Sequence, residues 1–295
     1  MSMALADVDE DGDLDVYMAN YRRETVKDSE QDYSGLQLVD GRWRLPADLA
    51  ERYVSSLDAL GRPILHETGE PDGLYLNDGT GRFTQVSWTG GAFLDEEGRP
   101  LSEPPRDWSL SAMFRDVNGD GFPDLYVCSD FVQPDRFWIN QGGGRFRALS
   151  RPALTRTSRH SMGVDFADID RDGDDDFLVV DMLSPDRVLR MRQRINLSPG
   201  MYGEYAARHR PQFLQNTLFL NRGNTTFAEV SRLAGLDATD WSWAPVFLDV
   251  DLDGFEDLLI FNGAMRDSQD SDALARIRST RKVRSAWAWW QKPTR

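Results

Sequence analysis

The chain is nearly without cysteine: Cys128 stands alone, which excludes an internal disulfide framework and a thiolate zinc cluster. Histidine is almost as scarce, three in 295 residues with no H-E-x-x-H, so a histidine-rich metal site is excluded as well. No apolar run approaches the roughly 18 residues that a membrane-crossing helix needs. The N-terminus, Met1-Ser2-Met3-Ala4-Leu5-Ala6-Asp7, has neither the basic region nor the long apolar stretch of a signal peptide. Positive charge is in deficit: 34 Lys and Arg against 49 Asp and Glu leave −15, which disfavours a nucleic-acid partner and suits cations. Catalytic signatures are missing too. There is no G-x-S-x-G, and Gly142-Gly143-Gly144 lacks the Lys-Ser/Thr of a phosphate-binding loop. With 40% hydrophobic and 11% aromatic residues, a sizeable core is nonetheless available.

What the chain has in abundance is one acidic pattern, Asp-x-Asp/Asn-x-Asp-Gly-x-x-Asp, present four times. The copies run from Asp7 to Asp15, Asp116 to Asp124, Asp168 to Asp176 and Asp249 to Asp257. Positions 1, 3, 5 and 9 carry side-chain oxygens: Asp7, Asp9, Asp11 and Asp15; Asp116, Asn118, Asp120 and Asp124; Asp168, Asp170, Asp172 and Asp176; Asp249, Asp251, Asp253 and Asp257. Position 7 (Asp13, Phe122, Asp174 and Phe255) adds a backbone carbonyl, and glycine at position 6 permits the sharp turn. Five or more hard oxygen donors without nitrogen or sulfur are a calcium ligand set, so up to four Ca²⁺ are expected. Carboxylates held about 4 Å apart repel by roughly 4 kcal/mol per pair at an effective dielectric near 20, which makes the cation part of the fold. An EF-hand is excluded, because position 12 is Met18, Val127, Val179 or Ile260 instead of a bidentate Glu.

Each loop is followed by a short apolar segment rich in branched or aromatic residues: LDVYMAN, DLYVCSD, DFLVVDM and DLLIFNG. These read as buried strands. After the first three loops comes a hairpin pattern, residues 73–87, 136–150 and 217–231, with an Asn/Gly turn and Phe83, Phe146 or Phe227 in its second strand. The segments SLSAMFRD, SMGVDFAD and SWAPVFLD lead into loops two to four. The unit is therefore strand, acidic loop, strand, connection, strand, tight turn, strand. Four antiparallel strands per repeat describe a propeller blade, and the fold class is all-β.

The loop D-x-D-x-D-G-x-x-D-L followed by L-x-L-N-x-G-x-G-x-F resembles the FG-GAP or VCBS repeat of integrin-α-type propellers. The longer strings SMGVDFADIDRDGDDDFLVVDML and DWSWAPVFLDVDLDGFEDLLI resemble bacterial VCBS-repeat proteins related to cartilage acidic protein and the ASPIC/UnbV group. The resemblance spans residues 1–265 and implies a calcium-binding β-propeller, exported to the cell surface, extracellular space or periplasm, used for adhesion or ligand binding. Three loop-plus-hairpin units and one half unit are present, fewer than an integrin-type ring, so the expected form is a fragment of about four blades. Its bare edges invite pairing with further blades or another copy.

Successive turns of an antiparallel blade alternate between its two ends, so the acidic loops and hairpin turns are expected on one face. The long connections, the insertions 21–72 and 184–216 above all, then fall on the other, where a protein or carbohydrate ligand is expected. In the first insertion, Leu49, Tyr53, Leu57 and Leu60 at helical spacing with Gly61 as a stop predict a short helix. The second insertion is basic through Arg187, Arg190, Arg192, Arg194, Arg208 and Arg210, a solvated helix face that an anionic partner could also meet. Trp108, His160 and Trp241, eight residues before loops two to four, repeat with the blade and are read as packing between blades. Residues 266–295 form a basic tail with Trp287, Trp289 and Trp290, and Asn196 and Asn224 head glycosylation-type triplets. The expected function is a non-catalytic, calcium-stabilised binding module. The alternatives are a propeller-based hydrolase or lyase, or a gene fragment without independent function.

Overall fold

The computed structural model describes residues 2–22, 37–39, 42–44, 52–57, 63–131, 133–194, 210–264, 270–273 and 276. Strand β1 (Ser2–Ala6) runs into the first acidic loop and β2 (Asp15–Ala19) leaves it. The first insertion contributes two hairpins, β3 (Gln37–Val39) with β4 (Arg42–Arg44) and β5 (Tyr53–Leu57) with β6 (Pro63–Glu67). Strands β7 (Gly73–Asn77) and β8 (Phe83–Gln85) then complete an antiparallel sheet in the order β1-β2-β7-β8. A short β9 (Phe93–Leu94) precedes the second blade, β10 (Trp108–Arg115), β11 (Asp124–Asp130), β12 (Arg136–Asn140) and β13 (Phe146–Ala148), and adds to β13 in parallel. After β14 (Thr157–Ser158), the third blade begins with β15 (Gly163–Ala167) and β16 (Asp176–Val180). Its insertion holds β17 (Met182–Leu183), helix α1 (Arg187–Arg194) and β18 (Gln212–Phe213), and β19 (Thr217–Asn221) and β20 (Phe227–Glu229) finish the order β15-β16-β19-β20. The last sheet is β21 (Asp240–Leu248) with β22 (Asp257–Asn262), and β17 crosses from the preceding blade to pair with β21.

The expected strand-loop-strand-hairpin unit is what forms, and the fold is all-β and propeller-like. Strand β1 packs beside β10, β10 beside β15, and β15 beside β21, so the strands entering the acidic loops line the inside of an arc. Apolar cores fill the spaces between blades, because strands such as β11 and β16 are buried along their whole length. Leu74, Trp88, Trp138 and Phe146 belong to the core between blades one and two. Phe137, Phe166, Phe177 and Phe227 belong to the next, with the Phe137 and Phe227 ring centroids 5.6 Å apart. The hairpin phenylalanine of one blade thus packs on the blade before it: Phe146 and Phe227 are buried, whereas Phe83 of the first blade is 48% exposed. Met3 and Leu5 on β1 and Leu259 and Phe261 on β22 are exposed as well, at the two ends of an open arc.

The first insertion departs from the expectation of a helix, since residues 53–57 form strand β5 paired with β6. The physical reason is pairing: β5 forms a ladder with β6 from Tyr53 opposite Glu67 to Leu57 opposite Pro63, which the spacing of Tyr53 and Leu57 does not reveal. Leu49 and Leu60 lie outside the described residues, as do Asn196, Arg208 and the tail tryptophans. The second insertion does carry a helix, α1. Its Arg190 pairs with Asp237 at 3.0 Å, and its Arg192 with Asp272 at 3.1 Å and Asp270 at 3.6 Å.

Candidate metal centres and the opposite face

The four acidic loops share one hydrogen-bond plan. The glycine at position 6 donates its N–H to the carboxylate at position 1: Gly12 to Asp7 at 3.0 Å, Gly121 to Asp116 at 2.8 Å, Gly173 to Asp168 at 3.1 Å and Gly254 to Asp249 at 2.8 Å. Position 7 donates to position 5 over 2.8–3.0 Å, as Asp13 to Asp11, Phe122 to Asp120, Asp174 to Asp172 and Phe255 to Asp253. Position 9 is the anchor. Asp15, Asp124, Asp176 and Asp257 each accept the N–H of position 2, and the first three also accept from Asn77, Asn140 or Asn221 at 2.8 Å. Position 4 takes a left-handed conformation, φ 64° at Glu10, 63° at Arg171 and 62° at Leu252, and only the second loop has a glycine there, Gly119.

The consequence is convergence of positions 1, 3 and 9. In the triads Asp7/Asp9/Asp15, Asp168/Asp170/Asp176 and Asp249/Asp251/Asp257, one oxygen from each carboxylate lies within 4.8 Å of the others. In the second loop Asn118 turns its amide to Asp120 at 2.9 Å. The position-5 carboxylates Asp11, Asp172 and Asp253 fall outside the triads and hold the turn through position 7. Asp13 and Asp174 stand against the hairpin turns at Gly79 and Gly223, and Phe122 against Gly142, so acidic loops and hairpin turns do share a face.

The donor chemistry fits a divalent cation. Asp7 Oδ1, Asp9 Oδ1 and Asp168 Oδ1 are buried and have no hydrogen-bond partner, an arrangement that costs free energy unless a cation satisfies it. Burial, then the neighbouring carboxylates Asp15 and Asp11, raises the Asp9 pKa, and burial likewise raises that of Asp15. Burial pushes Asp124 up to about 7 and Asp176 to about 6, against the hydrogen bonds they accept. Because each loop closes on its own strand pair, the sites are expected to be separable. Asp170→Ala should remove one site from a calcium titration and leave the rest; total loss of calcium binding would mean a single shared site.

Two sets of residues escaped the sequence reading. The asparagine ending each third strand is a staple between blades: Asn140 Nδ2 donates to the Val8 carbonyl at 3.0 Å and Asn221 Nδ2 to the Val117 carbonyl at 2.8 Å, both in the preceding blade's acidic loop. Its only signal was recurrence after the apolar strand. On the opposite face a buried carboxylate latches each blade to the next. Asp72 accepts from Tyr17 Oη and from Ser109 Oγ of the second blade, both at 2.7 Å. Asp135 accepts from Tyr126 Oη and Ser161 Oγ, also at 2.7 Å. In the third blade leucine, Leu178, stands at the tyrosine position, and the carboxylate becomes an amide, Asn216, which donates to Thr239 Oγ1 at 2.6 Å. Trp108 is buried, its Nε1 donating to the Glu67 carbonyl at 2.8 Å, and His160 Nδ1 lies 2.6 Å from Asp130 of the second blade. Both therefore join neighbouring repeats.

Repeated antiparallel blades, each entered through an acidic loop, define a repeat protein of the β-propeller type. The FG-GAP-like repeat family model matches residues 116–179 and 206–260, so the second to fourth blades carry FG-GAP-like repeats. No curated protein matches it. Among solved structures, one of an Agrocybe aegerita lectin, described for its recognition of non-reducing terminal N-acetylglucosamine, is similar at 15% identity with a TM-score of 0.34. The match covers 88% of this chain and 60% of the lectin chain. At that distance the likeness carries no argument about ligand.

Proposed function

We propose that the chain is a non-catalytic, calcium-stabilised binding module acting at the cell surface, in the extracellular space or in the periplasm, in the manner of the ASPIC/UnbV-related proteins its strings resemble. The carrying observation is the same carboxylate triad at the same end of the first, third and fourth blades, with orphaned buried oxygens in the first and third. Calcium holds that end. No helix among the described residues is long and apolar enough to cross a membrane. The opposite face, built from the two insertions and the inter-blade connections, takes a protein or carbohydrate ligand on a rigid scaffold. The uncovered ends of the arc, with Met3, Leu5 and Phe83 on one side and Leu259 and Phe261 on the other, suit further blades or another copy.

The test is retention of glycans and extracellular proteins by the immobilised, calcium-loaded chain. Arg187 of α1 is exposed, whereas Arg192 is held by Asp270 and Asp272. Arg187→Glu should therefore reduce retention while calcium affinity and melting stay nearly unchanged. Asp120→Ala should cost stability first and retention only as a consequence. Retention insensitive to every insertion would sink the assignment of the binding face.

A further inference from the structure

Between the second and third blades lies a cavity of about 120 Å³, lined by Arg136, Arg151 and Arg210, by the carboxylates Glu96 and Asp135, and by Gln133, Trp138 and Leu149. Its walls come from the β11–β12 connection, the end of β13 and the residues before β18, all at the end of the blades away from the acidic loops. Two of its arginines are already paired, Arg136 with Asp107 and Arg151 with Glu96 at 3.8 Å. Arg210 is only 9% exposed, donates one Nη2 hydrogen bond to the Leu149 carbonyl, and has a buried Nε without a partner. Among the described residues no carboxylate forms an ion pair with it. Two further residues of the same wall carry unpartnered buried atoms, the donor Trp138 Nε1 and the acceptor Gln133 Oε1. Each such atom costs about 1–3 kcal/mol when left unpaired; Glu96 and Asp135 in the same wall favour the Arg210 charge without forming an ion pair with it.

We propose that this cavity binds a small organic acid, its carboxylate pairing with the Arg210 guanidinium and a neighbouring hydroxyl meeting Gln133. The guanidinium fork matches a planar carboxylate through two parallel N–H donors, which a tetrahedral anion matches less well. Gln133 supplies what a carboxylate alone does not need, an acceptor, and so selects a hydroxy acid over a simple fatty acid. Leu149 and the indole of Trp138 offer apolar surface to the carbon skeleton, and the volume accepts a few heavy atoms at most. The ligand is a free hydroxy acid or the acidic end of a sugar acid. Burial holds Arg210 below its usual pKa, and a bound carboxylate would reverse that pressure. The assignment deepens the reading of this face as the ligand face and rests on it.

Calorimetric titration of the calcium-loaded, full-length chain with lactate, glucuronate, glucose and inorganic phosphate tests it. Lactate or glucuronate should bind, the first identifying a free acid and the second a sugar acid, and glucose should not. Arg210→Gln should weaken binding at least tenfold. Gln133→Glu, which adds a third carboxylate to the wall that already holds Glu96 and Asp135, should abolish binding while leaving melting nearly unchanged, so a folding defect cannot mimic the result. No heat from either acid, undiminished binding in both variants, or phosphate binding as tight as carboxylate would overturn the proposal. Macromolecular retention without acid binding would remove this site and leave the ligand face standing; acid binding without retention would do the reverse.

Discussion

Chelation of divalent cations should lower the melting temperature by on the order of 10 °C or more, and calcium should restore it more fully than magnesium. The argument starts from the triads, in which three carboxylates share a 4.8 Å neighbourhood and three of their oxygens are buried without partners. A ligand present at about a hundred times its Kd stabilises by roughly 2.7 kcal/mol per site, so several sites add up quickly. An all-oxygen carboxylate set on a loop, without the rigid octahedron that magnesium demands, favours calcium. Four bound ions would also bring the net charge from −15 to −7 and relieve self-repulsion. An unchanged melt in excess chelator would reject the metal centres.

The pH dependence should change sign with the ion. In cation-free protein the folded-state pKa values of Asp124, about 7, and Asp176, about 6, lie above the ordinary 3.8. Protons then bind the folded state preferentially, so this contribution is full below pH about 4 and is lost as pH rises through 6 to 7. Calcium requires the deprotonated carboxylates, so in its presence stability should instead fall as pH drops through the same range. Melting curves between pH 5 and 8, with and without calcium, distinguish the two cases.

The acidic loops and their flanking strands were legible because everything that forms them is local: nine residues fix the turn, and the apolar segments on either side pair across it. The first insertion was misread because Tyr53 and Leu57 at a spacing of four fit one helical turn as well as a strand, and only pairing with β6 decides between them. The acidic residues that converge in the loops were legible as residue types. Their geometry was not, since Asp11, Asp172 and Asp253 spend an oxygen on the turn while position 9 anchors to asparagines far along the chain. Least visible were the couplings between blades. Asn140 reaches Val8 across 132 residues and Asn221 reaches Val117 across 104, separations at which no periodicity survives. Arg210 looked like one member of a basic run; its burial beside Leu149 follows only from how two blades meet.

Asp135→Ala should be among the most destabilising single substitutions in the chain, costing roughly 3–5 kcal/mol in calcium-saturated protein. The carboxylate is buried and accepts three hydrogen bonds of 2.7 Å, from Tyr126 Oη, Ser161 Oγ and the Ser129 N–H. Removing it strands three donors between two blades. Asp135→Asn should cost less, because the hydroxyls of Tyr126 and Ser161 can rotate to accept from the amide. The third blade already holds that solution, with Asn216 at the equivalent place and Leu178 where the tyrosine would be. A second readout separates a carboxylate latch from mere space filling. Burial pushes Asp135 up to about 7, so its contribution is full below pH about 4 and is lost as pH rises through 7, at about 1.36 kcal/mol per unit. Asp135→Asn should remove that slope from urea unfolding in saturating calcium, and Asp135→Asn with Tyr126→Phe should cost less than the sum of the two alone. A pH slope identical to wild type in Asp135→Asn would show that the carboxyl does not titrate with folding, and additive costs would show that the tyrosine and the carboxylate act independently.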